Sequence, residues 1–262
     1  MEIFFIIVFG ILGAAIGSFL NVVIDRLPAG KSVVYPPSSC DACQHRLSGL
    51  DLFPVFSYLF LRGRCRYCQA KFSQRIFWVE LGNGLLVAFL FWHFGWQWML
   101  PVAIAYSGVL ITLAVIDLNH QLILNKIVYP AAIVAMILNF FVPDLFSLHN
   151  FLFGLIGAAF GSIFLFLAYI FSQVVLKREG MGIGDIKMAA MIGLMVGFPN
   201  AIVAIFGGAI LGGITSIFLI TFKKKSRKDI IPFGAFLSLA TIITMIWGTP
   251  IIHWYLHLSG LE

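Results

Sequence analysis

Charged residues are scarce in this chain of 262 residues. Only 11% are Asp, Glu, Lys or Arg, whereas 61% are hydrophobic and the mean hydropathy is +1.00. A soluble domain carries about 25% charged residues. The shortage of charge therefore excludes a water-soluble globular domain and indicates a polytopic membrane protein.

Long apolar runs take the place of charge. A helix needs about 20 apolar residues to cross a bilayer, and somewhat fewer where polar flanking side chains reach the interface. The runs predict an all-α fold, a polytopic membrane bundle of about eight transmembrane helices. The predicted spans are 3–24, 77–93, 101–117, 127–142, 150–176, 185–198, 201–222 and 231–247.

A basic amino-terminal region is also absent. Glu2 is the only charged residue before Asp25, and no cleavage site of small residues precedes a soluble domain. The first segment, 1–25, is therefore predicted to be a retained span. The rest of the chain divides into a polar insert at 26–76 and a helical membrane region at 77–262.

Positive charge is missing from every second loop. The loops near 94–100, 143–149 and 199–200 contain no Lys or Arg, whereas the insert, the loop at Lys126 and the cluster KKKSRK at 223–228 are basic. Because cytoplasmic loops carry the excess of Lys and Arg, the basic loops are predicted to face the cytoplasm. The net charge of +6 is then a signal of topology and of contact with anionic lipid, not of nucleic-acid binding.

Cysteine occurs only in two pairs within the insert. Cys40 with Cys43 and Cys65 with Cys68 give the spacing C-x-x-C, 21 residues, C-x-x-C, which is typical of a structural zinc site with four thiolate ligands. Disulfides are the alternative, but they do not persist in a reducing cytoplasm. A thiol oxidoreductase is an alternative use of the pairs, and His45 is an alternative ligand.

Acidic residues number only 11, and four of them lie at or within apolar runs: Asp25, Glu80, Asp117 and Asp185. Such acids are functional candidates by default. In the predicted topology Asp117 ends the third span and Asp185 opens the sixth, so both fall at the cytoplasmic boundary. Two carboxylates at one site can share a proton, so that one activates a water while the other protonates a leaving amine.

On spacing alone, other interpretations of these acids stay open. Asp185 fits the N-cap of its helix, Asp117 fits a boundary residue, and a proton-coupled transporter fits as well as a protease. The glycines before Asp185, which include Gly182 and Gly184, allow backbone conformations closed to other residues and close approach by an extended substrate.

Four motifs occur together and in order. They are GSFLNVVIDRLP at 17–28, the two C-x-x-C pairs, GMGIGDIKMAAMIG at 180–193 and IPFGAFL at 231–237. In these motifs the chain resembles the type IV prepilin peptidases, which are membrane aspartic proteases of the GxGD class. The resemblance implies that Asp117 and Asp185 are the catalytic pair. We further predict that Gly182, Gly184 and Lys187 lie at the substrate or cofactor site.

The resemblance also implies a substrate. The family cleaves prepilins and pseudopilins at the cytoplasmic face of the bacterial membrane, after a glycine and usually before a phenylalanine. Many members then N-methylate the new amino terminus with S-adenosylmethionine. Glu80, with Asn21 and Arg26, is the predicted site for that donor or for the amino terminus. The alternatives are that Glu80 pairs with a basic residue of the insert and that Asp25 pairs with Arg26.

One position departs from the family pattern, and one repeat needs an explanation. Where many members have Leu-Pro-Asp, this chain has Leu124 followed by Asn125, which removes a nearby carboxylate and sharpens Asp117 as the first catalytic residue. GILGAAIGS at 10–18 recurs as GLIGAAFGS at 154–162. This spacing favours close helix packing in lipid, with a parallel internal repeat as the alternative.

Overall fold

The computed structural model describes residues 1–141, 148–175, 182–222 and 232–260. Over these ranges the regular structure is helical, with two isolated β-bridges and no β-strand, which confirms the all-α prediction. The helices are α1 (Glu2–Arg26), α2 (Phe56–Phe60), α3 (Gln74–Phe94), α4 (Met99–His120), α5 (Asn125–Phe141), α6 (Leu148–Val174), α7 (Ile183–Val196), α8 (Asn200–Thr221) and α9 (Phe233–Ser259).

Within the described part of the chain, six helices are long and apolar enough to cross a membrane, namely α1, α3, α4, α6, α8 and α9. The chain is therefore a multi-pass helical membrane protein. α5 is apolar but shorter, and α7 has only 14 residues. Each predicted span corresponds to one helix, since a run of apolar residues must satisfy its backbone internally.

The end of the last span was predicted wrongly. The span expected at 231–247 is the helix Phe233–Ser259, which continues through Pro250. Proline is tolerated inside membrane helices because neighbouring groups can satisfy the freed carbonyl. The aromatic residues Trp254 and Tyr255 therefore lie on the last turns of α9, where both are exposed.

The chain forms two compact units, Met1–Gly108 and Val109–Glu262. In the first unit α1 packs along α3. In the second unit α7 contacts α5, α6, α8 and α9, and α8 packs along α9. The short helix α7, which carries Asp185, is thus central to the second unit.

Small residues bring the helices of each unit into backbone contact. In the first unit a Cβ at Gly17 would lie 2.8 Å from the Cα of Glu80 on α3. In the second unit a Cβ at Gly157 would lie 2.7 Å from the carbonyl oxygen of Gly193 on α7. Both copies of the GxxGAAxGS sequence thus serve packing, which confirms that interpretation of the repeat.

Candidate active site and metal centre

The two cysteine pairs form knuckles of the same shape. The backbone N–H of the first cysteine donates to the carbonyl five residues on, at 3.0 Å for Cys40 and 2.8 Å for Cys65. The glutamine after each pair has a positive φ, 58° at Gln44 and 62° at Gln69. Each knuckle therefore turns back on itself and points both its sulfur atoms to one side.

The four sulfur atoms converge on one point. The ligand atoms of Cys40, Cys43, Cys65 and Cys68 all lie within 4.8 Å of one another, and the sulfurs of Cys40 and Cys68 are 3.7 Å apart. Two sulfurs on one tetrahedral zinc lie about 3.8 Å apart, given Zn–S bonds of about 2.3 Å. All four cysteines are free rather than paired in disulfides, so the set fits one zinc ion.

The surroundings of the cysteines also suit a metal. The backbone N–H of Cys43 lowers the pKa of the Cys40 thiol to about 7, whereas burial and the neighbouring thiols raise the pKa of Cys68, so Cys40 ionises before Cys68. His45 is not part of the cluster, because its ring stacks on Tyr67 with centroids 3.6 Å apart. That stack joins the first knuckle to the second and leaves the imidazole no role as a ligand.

Asp51 connects the metal centre to the rest of the insert. Its carboxylate, 2% exposed, accepts hydrogen bonds from the Ser48 hydroxyl at 2.7 Å and from the Arg66 Nε at 2.7 Å. The Ser48 hydroxyl, with help from Arg66, lowers the pKa of Asp51 to about 2 although burial opposes the shift. Sequence reasoning missed this residue; the S-x-x-D spacing of Ser48 and Asp51 was the available signal.

Glu80 anchors the insert to α3. It is 5% exposed, and its Oε2 accepts a hydrogen bond of 2.7 Å from the backbone N–H of Val55. Val55 has φ 64° and ψ −53°, and Phe56 N–H donates to Pro54 O at 2.6 Å, which is a rare, strained γ-turn. The prediction that Glu80 pairs with a basic residue of the insert is wrong, because its carboxylate accepts a hydrogen bond from a backbone amide of the insert instead.

The end of α1 is held by other contacts than expected. Asp25 pairs with Arg75, at 2.6 and 2.7 Å to its two oxygens, so the predicted pair with Arg26 is wrong. Consecutive helical residues point about 100° apart, and Arg26 instead donates to the Ser32 carbonyl at 3.1 Å. Asn21 is buried, and its Oδ1 has no hydrogen-bond partner among the described residues.

A cavity of about 740 Å³ lies in the first unit, between the ends of α1 and α3 and the insert. Three of the predicted donor-site residues, Asn21, Arg26 and Glu80, line it together. Its wall carries side chains of both charges, among them Asp51 and Lys31. The structure therefore brings these predicted residues to one polar cavity.

Asp117 and Asp185 meet where α4 ends and α7 begins. Asp117 lies in the last turn of α4 and is 5% exposed, and Asp185 lies in the first turn of α7 and is 7% exposed. The two carboxyl groups lie within electrostatic range of each other. Ile123, just after α4, packs against both Gly184 and Gly234, so the residues around the two acids form one cluster.

Backbone amides hold one oxygen of each carboxylate. Asp117 Oδ2 accepts from Ala235 N–H at 3.1 Å, and Asp185 Oδ2 accepts from Gly182 N–H at 3.1 Å. Gly182 is the N-cap and Asp185 is the third helical residue, so the interpretation of Asp185 as the N-cap is wrong. The contact with Ala235, from the IPFGAFL motif, was not predicted.

The glycines near Asp185 provide space rather than unusual backbone angles. Gly182 has φ −86°, which any residue can adopt, so the expected special conformation is wrong there. A Cβ at Gly184 would lie 2.9 Å from the Cβ of Ile123, so glycine at 184 is needed for that contact. Gly180 and the basic cluster at 223–228 lie outside the described residues.

Lys187 contacts the residue that departs from the family pattern. Its ammonium donates to Asn125 Oδ1 at 3.2 Å and lies 5.7 Å from the centre of the Tyr129 ring. Asn125 is the first residue of α5. A neutral amide thus holds the lysine where a carboxylate would form an ion pair.

These features define the class: a polytopic helical membrane protein with two buried, interacting aspartates and a separate tetracysteine unit. The model of the bacterial peptidase A24 N-terminal domain matches residues 11–94, and that of the type IV leader peptidase family matches residues 104–217. The chain belongs to the type IV leader peptidase family.

Relatives match almost end to end. A protein of Stutzerimonas stutzeri named prepilin leader peptidase/N-methyltransferase is 32% identical, with 96% of this chain and 93% of the relative covered. Relatives of the same name from Pseudomonas aeruginosa and Legionella pneumophila are 32% and 31% identical, with 96% and 97% of this chain and 93% and 95% of theirs covered. No solved structure matches the chain.

Proposed function

We propose that this protein removes the basic leader from prepilins and pseudopilins, with Asp117 and Asp185 as its catalytic pair. One observation carries the proposal: two buried carboxylates interact at the meeting ends of α4 and α7 in a chain of the leader peptidase family. Two acids so placed resist simultaneous ionisation, so one keeps a proton that the reaction can use.

The pair can complete a hydrolysis without a metal or a covalent intermediate. The ionised carboxylate takes a proton from a water, and the oxygen of that water attacks the carbonyl carbon of the scissile peptide bond. The protonated carboxyl then gives its proton to the leaving nitrogen as the C–N bond breaks. One water is consumed, and the two carboxyls have exchanged roles with no net change in their protons.

The amide contacts prepare the pair for this exchange. Both Ala235 and Gly182 engage Oδ2 of their aspartate, and we assign Oδ1 of each to the water and the shared proton. Each donor is a backbone group fixed by a helix start, so the carboxylates are oriented before substrate arrives. Such preorganisation is a major source of catalysis.

The cytoplasmic face is proposed for the reaction because of charge. Lys126 lies in the first turn of α5, which follows the end of α4 that carries Asp117, and Lys187 lies two residues after Asp185 on α7; basic residues mark the cytoplasmic side. The alternative, a proton-coupled transporter, needs acids near the bilayer midplane. No contact of Asp117 or Asp185 favours it, since both acids lie in terminal turns of their helices.

The test is cleavage of a prepilin peptide with a Gly-Phe junction by purified protein in liposomes, read by mass spectrometry. Asp117→Asn and Asp185→Asn should each lower the rate by at least about 1,000-fold. Asp25→Asn, which changes an acid of the Asp25–Arg75 ion pair, is the matched control and should cleave at the normal rate. Normal cleavage by either catalytic variant would end the proposal.

N-methylation is a second proposed activity, favoured by the cavity in the first unit. S-adenosylmethionine carries a carboxylate, an ammonium and a sulfonium, and the cavity offers charges of both signs within a volume usual for such ligands. Arg26 and Lys31 line the cavity, where they would hold the carboxylate, and the acidic residues of its wall would hold the ammonium. When bound, the donor would supply the methyl group for the new amino terminus.

Binding, not only turnover, tests this site. Equilibrium dialysis with labelled S-adenosylmethionine should show binding to the wild type, and weaker binding after Arg26→Ala. Asp117→Asn is the control and should bind the donor normally while failing to cleave. Unchanged binding after Arg26→Ala would place the methyl donor elsewhere.

A further inference from the structure

The insert exposes a group of large apolar side chains, which we call the apolar patch. It consists of Leu52, Phe53, Phe56, Leu59 and Phe60, whose exposed fractions run from 40% at Leu52 to 83% at Phe60. The rings of Phe53 and Phe56 lie 5.6 Å apart, so these two residues form one continuous surface. Exposed apolar patches of this kind mark a contact with a partner or with a membrane.

The two faces of α2 are reversed relative to those of a helix on a soluble domain. Phe56, Leu59 and Phe60 are three and four residues apart and therefore share one face, and that face is exposed. Ser57 and Tyr58, on the other face, line the polar cavity of the first unit. A helix of a soluble protein turns its apolar face inward, whereas an element at a membrane interface turns that face to lipid.

Two contacts place the apolar patch beside the first two turns of α3. The backbone N–H of Val55 donates to Glu80 Oε2 at 2.7 Å, and the rings of Tyr58 and Phe77 lie 5.5 Å apart. Phe77 and Glu80 are the fourth and seventh residues of α3. At 1.5 Å per residue they lie about 5 and 9 Å from its start, so α2 is fixed at that level along α3.

The length of α3 puts this level at the membrane interface. Its 21 residues cover about 32 Å, little more than the thickness of about 30 Å of the hydrocarbon layer. Because α3 is a span with no length to spare, its first turns lie at the edge of that layer. Trp78 is exposed there, and its ring lies 5.3 Å from that of Phe77. The lipid-facing surface of α3 thus continues to α2 through Trp78, Phe77 and Tyr58.

The backbone around the apolar patch is suited to a place without water. The N–H groups of Phe56, Ser57 and Leu59 donate to carbonyls two to four residues back, at 2.6–3.1 Å. The N–H of Val55 donates to the Glu80 carboxylate. A backbone group that meets lipid must find its partner within the protein, and these four amides have done so.

We propose that the apolar patch is a lipid-binding surface, which enters the leaflet where α1 ends and α3 begins. Arg62 is exposed and follows α2 by two residues, so it would lie among the headgroups, where anionic lipid attracts it. The cavity on the other face of α2 is thereby held at the membrane surface. This inference does not depend on the proposed roles of Asp117 and Asp185.

The experiment places the photoreactive residue p-benzoylphenylalanine at Phe60, in the full-length protein in vesicles of phosphatidylcholine and phosphatidylglycerol. After irradiation, mass spectrometry of the digested protein identifies what has been cross-linked. Phe60 should give phospholipid adducts, and so should Leu59 in a second variant, because both lie on the exposed face. Arg46, an exposed polar position of the first cysteine knuckle, is the control and should give at least about 10-fold fewer lipid adducts. Circular dichroism checks that each labelled protein is folded.

Each result decides the inference. Lipid adducts at Phe60 and Leu59, with few at Arg46, support it. Cross-links from either position to residues 109–262 or to a second copy of the chain would show that protein covers the apolar patch, and the inference would fail. Yields as low as those at Arg46 would show that the patch faces water, and equally high yields at Arg46 would show that lipid contact is not specific to the patch. The cleavage test with Asp117→Asn is unaffected by any of these results.

Discussion

The two units of the molecule both bury acids, and they differ in what lies beside each acid. In Met1–Gly108, Glu80 is held by the N–H of Val55, and its charge ties the insert to α3. In Val109–Glu262, Asp117 and Asp185 are close enough for their charges to oppose each other. Burial alone therefore does not mark a catalytic acid. A backbone donor does not separate the two kinds of acid either, because Asp117 and Asp185 also accept backbone N–H groups; the proposed catalytic pair differs in having a second acid within electrostatic range.

The units also differ in what keeps them folded. The insert of the first unit has few apolar contacts of its own and gathers four thiols around one point. The second unit has helices in backbone contact at Gly157 and Gly193. The first arrangement fits a zinc ion that would order the insert, and the second depends on glycine, whose missing side chain lets the helices approach.

Metal removal gives the largest expected difference between the units. The purified protein should hold one zinc per chain by elemental analysis, and Cys40→Ser should lose it. Structural zinc contributes about 10 kcal/mol or more to folding, so trypsin should then cut the insert while the helices of the second unit stay resistant. His45→Ala is the matched control and should keep the metal. Metal-free wild type with an uncut insert would contradict the comparison.

A methyl group at Gly193 should damage the second unit alone. Its Cβ would collide with the backbone of Gly157 and Ala158 on α6, and overpacking of this kind costs about 1–3 kcal/mol. Gly193→Ala should lower the melting temperature and leave the zinc content unchanged. Gly213→Ala, whose Cβ would meet nothing within 4 Å, should melt like the wild type. Equal melting temperatures for the two variants would show that the close contact between Gly193 and Gly157 does not determine the stability of the second unit.

Replacement of a buried acid by its amide should change the stability of the protein in opposite directions in the two units. Glu80→Gln weakens a charge-assisted hydrogen bond and should destabilise the protein by about 1 kcal/mol. Asp185→Asn removes a buried acid whose ionisation is opposed by Asp117, and it should raise the melting temperature while it abolishes cleavage. Thermal melting in one detergent measures both. A lower melting temperature for Asp185→Asn would mean that the pair is not strained by its charge.

Acid should remove a small contribution that Asp51 makes to the insert. Its folded-state pKa of about 2 lies below the value of about 3.9 for an unfolded chain. The stabilisation is therefore present above about pH 4 and is lost as the pH falls from about 4 to about 2. The wild type should have a higher melting temperature than Asp51→Asn at pH 7, and this difference should shrink as the pH falls from about 4 to about 2. Because both proteins lose metal in acid, only their difference is informative; a constant difference would contradict the shift.

The features that could be predicted are those that produce a local pattern in the sequence. Eight helices follow from long apolar runs, and the metal centre follows from the spacing of Cys40, Cys43, Cys65 and Cys68. The proximity of Asp117 and Asp185 followed from topology, because the end of α4 and the start of α7 had to face the same side. The structure places them together.

What sequence could not predict is contact made by backbone groups. The Val55 N–H that satisfies Glu80 and the Ala235 N–H that holds Asp117 belong to residues of no special type. The second contact joins residues 118 positions apart. We predicted an unusual backbone conformation at Gly182 that the structure does not show. The sequence alone does not tell whether a glycine is needed for its backbone angles or for its lack of a side chain.

The length of α7 has a consequence for where the water of hydrolysis comes from. A helix of 14 residues reaches about 21 Å at 1.5 Å per residue, whereas the hydrocarbon layer is about 30 Å thick. The helix cannot cross that layer without help, so the lipid must thin around it or headgroups must follow it inward. We expect this response at the first turn of α7, where Asp185 lies, and it would hydrate that turn. Local thinning of the bilayer would thus let the water that hydrolysis consumes reach Asp185, which a bilayer of full thickness would shield from water.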